Sequence, residues 1–198
     1  MKNNIIKPSS GEIKKYLNNW DNLENYVLQE KSLEKLFTKT YPKNDIIEDI
    51  LIKVCSLNDF YSTNILKPFM VAKHILELKI DKYLSNEDKT IVNKIALVNV
   101  GTKEINFYSF ATKYCSHHKP TIYPIFDYYV EKMLCHFRDK DKFKLFSNED
   151  LKEYSKFIEI LNEFKIYYKL QEFNLKEIDK YLWQAGKKYF PRNYKKNK

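Results

Sequence analysis

The chain has 198 residues, a net charge of +9 and a hydrophobic fraction of 43%, which is enough for a folded core. Its three glycines exclude a phosphate site of the P-loop or Rossmann type, because such loops need several glycines for close backbone approach. No apolar run reaches the length of a membrane span, and residues 1–15 lack the apolar core of a signal peptide.

Apolar residues recur at helical spacing along almost the whole chain, and no segment has a convincing strand pattern. In the first half, helices are predicted over residues 23–37, ending before Pro42, and over residues 46–54. Pro68 suits the first turn of the next predicted helix, which continues through residues 69–76.

Capping signals mark the helices of the second half. Ser85 and Ser147 each begin a sequence of the capping-box type, which predicts helices over residues 91–98 and 151–164. Asn174, with a glutamate three residues later, predicts the start of the last helix, which we expect to end near Gly186.

These elements predict an all-α fold of eight or nine helices, arranged either as one compact unit or as two helical lobes flanking a cleft. We expect residues 1–190 to form a single domain and residues 191–198 to form a basic tail. The positive charge favours a polyanionic partner such as nucleic acid. A general lysine-rich composition is the alternative explanation for that charge.

The three widely spaced cysteines, Cys55, Cys115 and Cys135, indicate buried free thiols rather than a disulfide framework, so we expect a cytoplasmic protein. His117 and His118 would point about 100° apart on a helix and cannot easily share one metal ion. We therefore expect neither a metal nor a cofactor, and we interpret His117 or His118 as a cation at a helix end.

Residues 106–134 are the strongest candidate for a functional site. Ser109 and Lys113 lie one turn apart on a predicted helix, and Asp127 follows a proline-marked break at the start of the next helix. A carboxylate in that position can cap free backbone N–H groups or project into a cleft near the lysine. A plain structural ion pair between Lys113 and Asp127 is a further alternative.

Three segments together indicate a family: Val54-Cys55-Ser56-Leu57-Asn58, the stretch from Ile95 to Asp127 with its Val100-Gly101-Thr102-Lys103 turn, and Leu182-Trp183-Gln184-Ala185-Gly186. In this order they resemble the helix-hairpin-helix DNA glycosylase superfamily, particularly its 8-oxoguanine branch. The resemblance implies a monomer that binds duplex, damaged DNA, flips a base and cleaves its N-glycosidic bond, with or without lyase activity.

The same resemblance implies roles for individual residues. Asp127 matches the essential aspartate of the family. The family's lysine is matched either by Lys103, if the Gly101 turn is the phosphate-gripping hairpin, or by the position of Ser109, whose pocket Lys113 could reach from one turn further along. We favour Lys113 as the second catalytic residue.

The resemblance also implies a DNA-binding set and a base pocket. The DNA-binding set is Asn58, Gly101, Lys103 and Ser109. The base pocket contains Tyr108, Trp183 and Gln184, and further aromatic candidates for its walls are Phe107, Tyr114, Tyr128 and Tyr129.

Each of these residues also has a structural interpretation. Asn58 could cap the loop before the next helix instead of contacting a base, and any single aromatic side chain could belong to the core. The alternative function is a catalytically silent helical DNA-binding or regulatory protein, of the mobile-element or phage-defence type.

Overall fold

The computed structural model describes residues 5–192, most of which lie in ten α-helices. The helices span Ser10–Trp20 (α1), Glu24–Lys35 (α2), Ile47–Tyr61 (α3), Pro68–Leu78 (α4), Asp81–Ser85 (α5), Thr90–Ala96 (α6), Tyr108–His118 (α7), Tyr128–Asp141 (α8), Tyr154–Tyr167 (α9) and Leu175–Tyr189 (α10). A π-helical turn, Leu36–Thr40, extends α2, and a 3-10 turn, Asp150–Lys152, precedes α9. The predicted predominance of helices is confirmed. Residues 193–198 of the predicted basic tail lie outside the described residues.

The predicted helix starts at Pro68 and Asn174 are confirmed, whereas those at Ser85 and Ser147 are not. Asn174 and Glu177 form a reciprocal capping box at the start of α10, and Pro68 occupies the first turn of α4. Ser85, in contrast, is the last residue of α5, and α6 begins only after Lys89. Ser147 exchanges hydrogen bonds with Asp150, but the turn that follows is a short 3-10 helix.

An antiparallel β-hairpin contradicts the prediction that the chain contains no strand. Leu97–Val100 (β1) pairs with Lys103–Asn106 (β2), and Val100 faces Lys103 across a two-residue turn. Gly101 has a φ of +67°, which suits the first position of such a turn and is strained for other residues. The Gly101 turn therefore joins two strands and does not form the helix-hairpin-helix element that the sequence suggested.

Helix α1 was not among the predicted helices, although Ile13, Tyr16, Leu17 and Trp20 recur at helical spacing. Ser9 caps it by accepting a hydrogen bond from the backbone N–H of Glu12, and Ile13 and Tyr16 are buried. One sequence-based expectation about the thiols is also wrong: the Cys55 side chain is exposed on α3, although Cys115 is buried.

The buried tyrosines of the core form hydrogen bonds in addition to their apolar packing. Tyr114 is fully buried on α7, and its hydroxyl donates a 2.6 Å hydrogen bond to Asn44 Oδ1. Tyr154, at the start of α9, donates to the carbonyl of Pro124 over 2.9 Å. Buried tyrosines therefore fasten irregular backbone to the helices around it.

A buried lysine holds the chain segment that follows the π-helical turn. Lys53 on α3 is inaccessible to solvent, and its Nζ donates to the carbonyls of Tyr41 and Lys43 and to Asn44 Oδ1 over 3.1, 2.7 and 2.6 Å. Burial lowers the pKa of this amine to about 8. Asn44 is held in turn by two hydrogen bonds to Asp81 on α5. The network thus joins α3, α5 and residues 41–44.

Helix α10 packs closely against α8, and a glycine makes this approach possible. A Cβ atom at Gly186 would lie 2.6 Å from the Cβ and 2.9 Å from the carbonyl oxygen of Tyr129. Real side chains do not tolerate such distances, and the backbone oxygen cannot move aside cheaply. The position of α10 over the start of α8 therefore depends on Gly186.

We expect Gly186→Ala to lower the free energy of unfolding by about 1–3 kcal/mol, because overpacking against α8 outweighs the better helix propensity of alanine. The melting temperature should fall by about 2–4 °C for each kcal/mol in thermal unfolding. The matched control is Gly11→Ala in α1, where a Cβ would meet nothing within 4 Å. Equal melting temperatures for the two variants would contradict this account of the α8–α10 contact.

Candidate functional site

Asp127 is the N-cap of α8, as one of the two sequence interpretations required. Its Oδ1 accepts hydrogen bonds from the backbone N–H groups of Tyr129 and Val130 over 2.8 and 3.0 Å. Both bonds use the same carboxylate oxygen, so Oδ2 takes no part in the cap. Asp127 also lines a cavity of about 730 Å³. Capping a helix and facing a cleft are therefore compatible in this side chain.

Two hydroxyl groups of α7 fix the backbone immediately before Asp127. Ser109 Oγ donates to the carbonyl of Phe126 over 2.9 Å. Thr112 Oγ1 accepts from the backbone N–H of Phe126 over 3.1 Å. The residue before Asp127 is thus hydrogen-bonded at both of its backbone polar groups, which restricts where the carboxylate can lie.

Lys113 is buried beside this anchor. It is only 4% exposed, and its Nζ donates to Ser109 Oγ over 2.6 Å and to the Ser109 carbonyl over 3.2 Å. Burial lowers the pKa of the Lys113 amine, while the carboxylates of Asp127 and Asp179 act in the opposite direction. Within the described residues Lys113 forms no ion pair with a carboxylate, so the plain Lys113–Asp127 salt bridge is not observed.

Asp179 on α10 is a cavity carboxylate, besides Asp127 and Glu30, that was not predicted from the sequence. It lines the same cavity as Lys113 and Asp127 and is partly buried. Burial, together with the charge of Asp127, raises the pKa of its carboxyl to about 7, although Lys176 and Lys113 act in the opposite direction. The sequence contains one indication that Asp179 is not fully solvated. Trp183 lies one turn away on the same charged face of α10, and a helix face that contains a tryptophan is seldom fully exposed.

The cavity walls are rich in aromatic side chains from six helices and the segments next to them. The ten that line it are Trp20, Tyr26, Phe60, Tyr61, Phe107, Tyr108, Phe110, Tyr128, Tyr129 and Trp183. Its volume lies in the range of about 300–1,000 Å³ that small-ligand sites occupy. Of the predicted pocket residues, Tyr108 and Trp183 therefore lie at the cavity, as do Phe107, Tyr128 and Tyr129.

Charged side chains are ordered around the tryptophans at one end of the cavity. Glu30 binds Lys176 and Lys180 over 3.0 and 2.9 Å and accepts a 3.2 Å hydrogen bond from the Trp20 indole. Lys187 Nζ lies 4.6 Å from the ring centroid of Trp183. These contacts join α10 to α1 and α2, and they place positive charge next to flat aromatic surfaces.

The sequence interpretation of His117 and His118 as helix-end cations is wrong. Burial lowers the pKa of both imidazoles to about 3, so both are neutral at pH 7. His117 Nε2 lies 3.1 Å from the Tyr61 hydroxyl, and His118 Nε2 lies 3.2 Å from Asn44 Nδ2. In the described part of the chain, no group of three or more potential metal ligands comes together.

Three predicted site residues lie away from the cavity. Gly101 and Lys103 are exposed on the β-hairpin, and neither lines the cavity. Gln184 is buried on α10, where it accepts a hydrogen bond from Asn19 and donates one to the carbonyl of Tyr16. Gln184 therefore contributes to the contact between α1 and α10.

Two other predicted residues have local structural partners. Asn58 folds the α3–α4 loop: its Oδ1 accepts from the backbone N–H of Ile65 and the Thr63 hydroxyl, and its Nδ2 donates to the Ile65 carbonyl. Its structural interpretation accounts for all of these contacts. Tyr114, an aromatic candidate for the pocket, is a core residue and not part of the cavity lining.

The fold and the site define a predominantly helical protein with a charged, aromatic-lined cavity between helices. The chain belongs to the HI_0787_N family, described as an N-terminal domain, which matches residues 12–122. An uncharacterized protein of Haemophilus influenzae is 49% identical to it over 148 residues, which cover 74% of this chain and 71% of that protein. No solved structure is significantly similar to the chain. The family match includes Lys113 and ends before Asp127 and Asp179.

None of the helices in residues 5–192 combines the length and the apolar character that crossing a membrane requires.

The raised pKa of Asp179 has a consequence for stability. The native carboxyl, with a pKa of about 7, holds its proton between about pH 4 and 7, whereas the unfolded carboxyl does not. Stability from this group is therefore fully present below about pH 4 and is lost progressively as the pH rises from about 4 to 7. His117 and His118 act in the opposite direction, since their lowered pKa values cost stability below about pH 6.5.

We expect Asp179→Asn to be more stable than the unmodified protein at pH 8, with a difference that is clearly smaller at pH 5. The reason is that the amide has no charge to bury at either pH. Thermal unfolding of both proteins at the two pH values measures the effect, and the histidine contributions cancel in the comparison. A difference that is independent of pH would show that the Asp179 carboxyl does not titrate in this window.

Proposed function

We propose that this protein is a DNA glycosylase of the base-excision type, which takes a flipped base into the cavity and cleaves its N-glycosidic bond. The observation on which the proposal depends is the placement of Asp127. Its Oδ1 is held by the helix cap and its Oδ2 is free of the cap, in a cavity that also contains the buried amine of Lys113. The helix-hairpin-helix glycosylase relationship and its 8-oxoguanine-like substrate are part of this proposal.

The chemistry requires a fixed carboxylate at this position. Cleavage of the bond between base and deoxyribose develops positive charge on the sugar, and a preorganised anion beside C1′ stabilises that charge. Asp127 is preorganised by its cap bonds and by the two hydroxyl contacts to Phe126. In this role its Oδ2 faces the sugar or takes a proton from the attacking water.

The cavity has the surface properties that a flipped base needs. A base that leaves the duplex exchanges stacking on its neighbours for contact with aromatic side chains. Ten aromatic residues line the cavity, and Lys176, Lys180, Lys187 and Arg192 add positive charge to which phosphates can bind. DNA as the partner thus agrees with both the apolar and the charged part of the lining.

Lys113 supports a further lyase step. A lysine attacks the sugar C1′ only as a neutral amine, and burial shifts the Lys113 amine towards that form. Lys103 has no comparable environment, because it is exposed on strand β2. Geometry therefore favours Lys113 over Lys103 for the nucleophile.

We expect Asp127→Asn to reduce base release from duplex oligonucleotides containing 8-oxoguanine by at least about 100-fold, because the charge beside the sugar is removed. Folding should persist, since asparagine is also a good N-cap. DNA affinity should stay equal or rise slightly, because a negative charge near the phosphates is lost. The control is Asp139→Asn, an exposed aspartate on the same helix. Release by Asp127→Asn at the unmodified rate would exclude the proposed role.

We expect Lys113→Gln to abolish covalent trapping on DNA by borohydride, while Lys103→Gln, on the exposed hairpin, keeps the trapping and only weakens DNA binding. Gel analysis of trapped complexes gives the answer. Trapping that is lost in Lys103→Gln and kept in Lys113→Gln would place the nucleophile on the hairpin. Base release without any trapping would leave water as the attacking group.

The second candidate is a catalytically silent DNA-binding protein, and the hairpin favours it. Gly101, which would grip a phosphate in an active family member, lies at the exposed tip of a β-hairpin outside the cavity. Salt-dependent DNA binding without base release from a panel of damaged and undamaged oligonucleotides would support this candidate.

A further inference from the structure

Asp179 is a cavity carboxylate without a partner in the described part of the chain. It lies on α10, and no hydrogen bond or ion pair of its side chain occurs there, whereas Asp127 accepts two backbone N–H bonds. Partly buried carboxylates normally have such partners, because desolvation of the anion is costly. The carboxylate of Asp179, unpartnered among the described residues, therefore needs an explanation.

Charged groups on four helices lie near Asp179. Lys176 lies one turn away on α10, Lys113 on α7, Asp127 at the start of α8 and Glu30 on α2. The Asp179 charge also contributes to the raised pKa of Tyr61 on α3 and of Tyr154 on α9.

Both nearby lysines are already engaged. Lys176 is bound to Glu30 over 3.0 Å, and Lys113 donates to Ser109. Without a cation of its own, and with two other carboxylates close by, the Asp179 carboxyl keeps its proton more readily than an ordinary aspartate. Burial and the nearby carboxylates of Asp127 and Glu30 raise its pKa to about 7, against the opposite effect of the two lysines.

We propose that Asp179 is the general acid of the reaction, which donates a proton to the departing base while Asp127 acts on the sugar side. This inference rests on the proposed glycosylase function and deepens it. A pair of carboxyl groups with separate roles, one on the leaving-group side and one on the sugar side, is the arrangement that enzymes use to cleave O-glycosidic bonds.

The step balances as a hydrolysis. The bond between C1′ and the base nitrogen breaks, and its electron pair goes to the base. The Asp179 carboxyl gives its proton to a ring nitrogen of the base, so that the base leaves as a neutral molecule. Water forms the new bond to C1′, and its proton passes to Asp127. The lyase step proposed for Lys113 then follows on the abasic sugar. Proton exchange with solvent then restores both carboxyl groups.

This assignment predicts a dependence on the leaving group. A neutral base such as 8-oxoguanine or hypoxanthine needs the proton, because it would otherwise leave as an anion. A base that is already cationic, such as 7-methylguanine, leaves as a neutral molecule without any proton transfer. The need for Asp179 should therefore follow the charge of the base, and the need for Asp127 should not.

The experiment measures single-turnover release of these three bases from duplex oligonucleotides by the unmodified protein, Asp179→Asn and Asp127→Asn. We expect Asp179→Asn to lose about 100- to 10,000-fold in the release of neutral bases and to remain within a few-fold of the unmodified protein on 7-methylguanine. Asp127→Asn should lose both activities. In the unmodified protein, release of neutral bases should also decline above about pH 7, and this decline should be absent for 7-methylguanine.

The outcomes separate the two proposals. If the unmodified protein releases none of the bases, the glycosylase function fails, and the role of Asp179 fails with it. If it releases neutral bases and Asp179→Asn does so at the same rate, only the general-acid role is excluded. An equal loss on neutral and cationic bases would mean that Asp179 acts on the shape of the site, and circular dichroism would report any loss of folding.

Discussion

The site depends on the hydrogen bonds that stabilise the buried amine of Lys113. Lys113 is enclosed in the cavity wall without a carboxylate ion pair in the described structure, so its amine relies on the Ser109 hydroxyl and carbonyl. The same hydroxyl donates to the carbonyl of Phe126 and so restrains the backbone that leads into Asp127. One serine therefore connects the state of the lysine to the position of the carboxylate, which explains why both can be held in one place by a single short helix.

The remaining half of the site comes from a distant part of the chain. Helix α10 brings Asp179 to the cavity, and it can approach α8 closely only because residue 186 is a glycine. The family match covers residues 12–122 and so contains Lys113 but neither carboxylate. The chemistry proposed for the cavity thus requires helices from both sides of that boundary.

Local features of the site could be predicted from the sequence, and long-range features could not. The pairing of Ser109 with Lys113 follows from helix geometry alone, and the cap at Asp127 follows from the proline-marked break before it. Asp179 escaped prediction because its surroundings depend on α10 crossing other helices. The β-hairpin was missed for another reason: its strands have only four residues each, and so short a run has no distinctive period. Asn58 and Gln184 looked functional because polar side chains with internal partners cannot be recognised without the fold.

The two tryptophans of the chain, Trp20 and Trp183, both line the cavity, and their rings meet edge to face with centroids 5.8 Å apart. Intrinsic indole fluorescence therefore originates entirely from the walls of the site. Any molecule that enters and stacks there should change the emission, and the protein needs no attached label. Occupancy of the cavity could thus be followed in solution, at low protein concentration and in real time, independently of whether a reaction takes place.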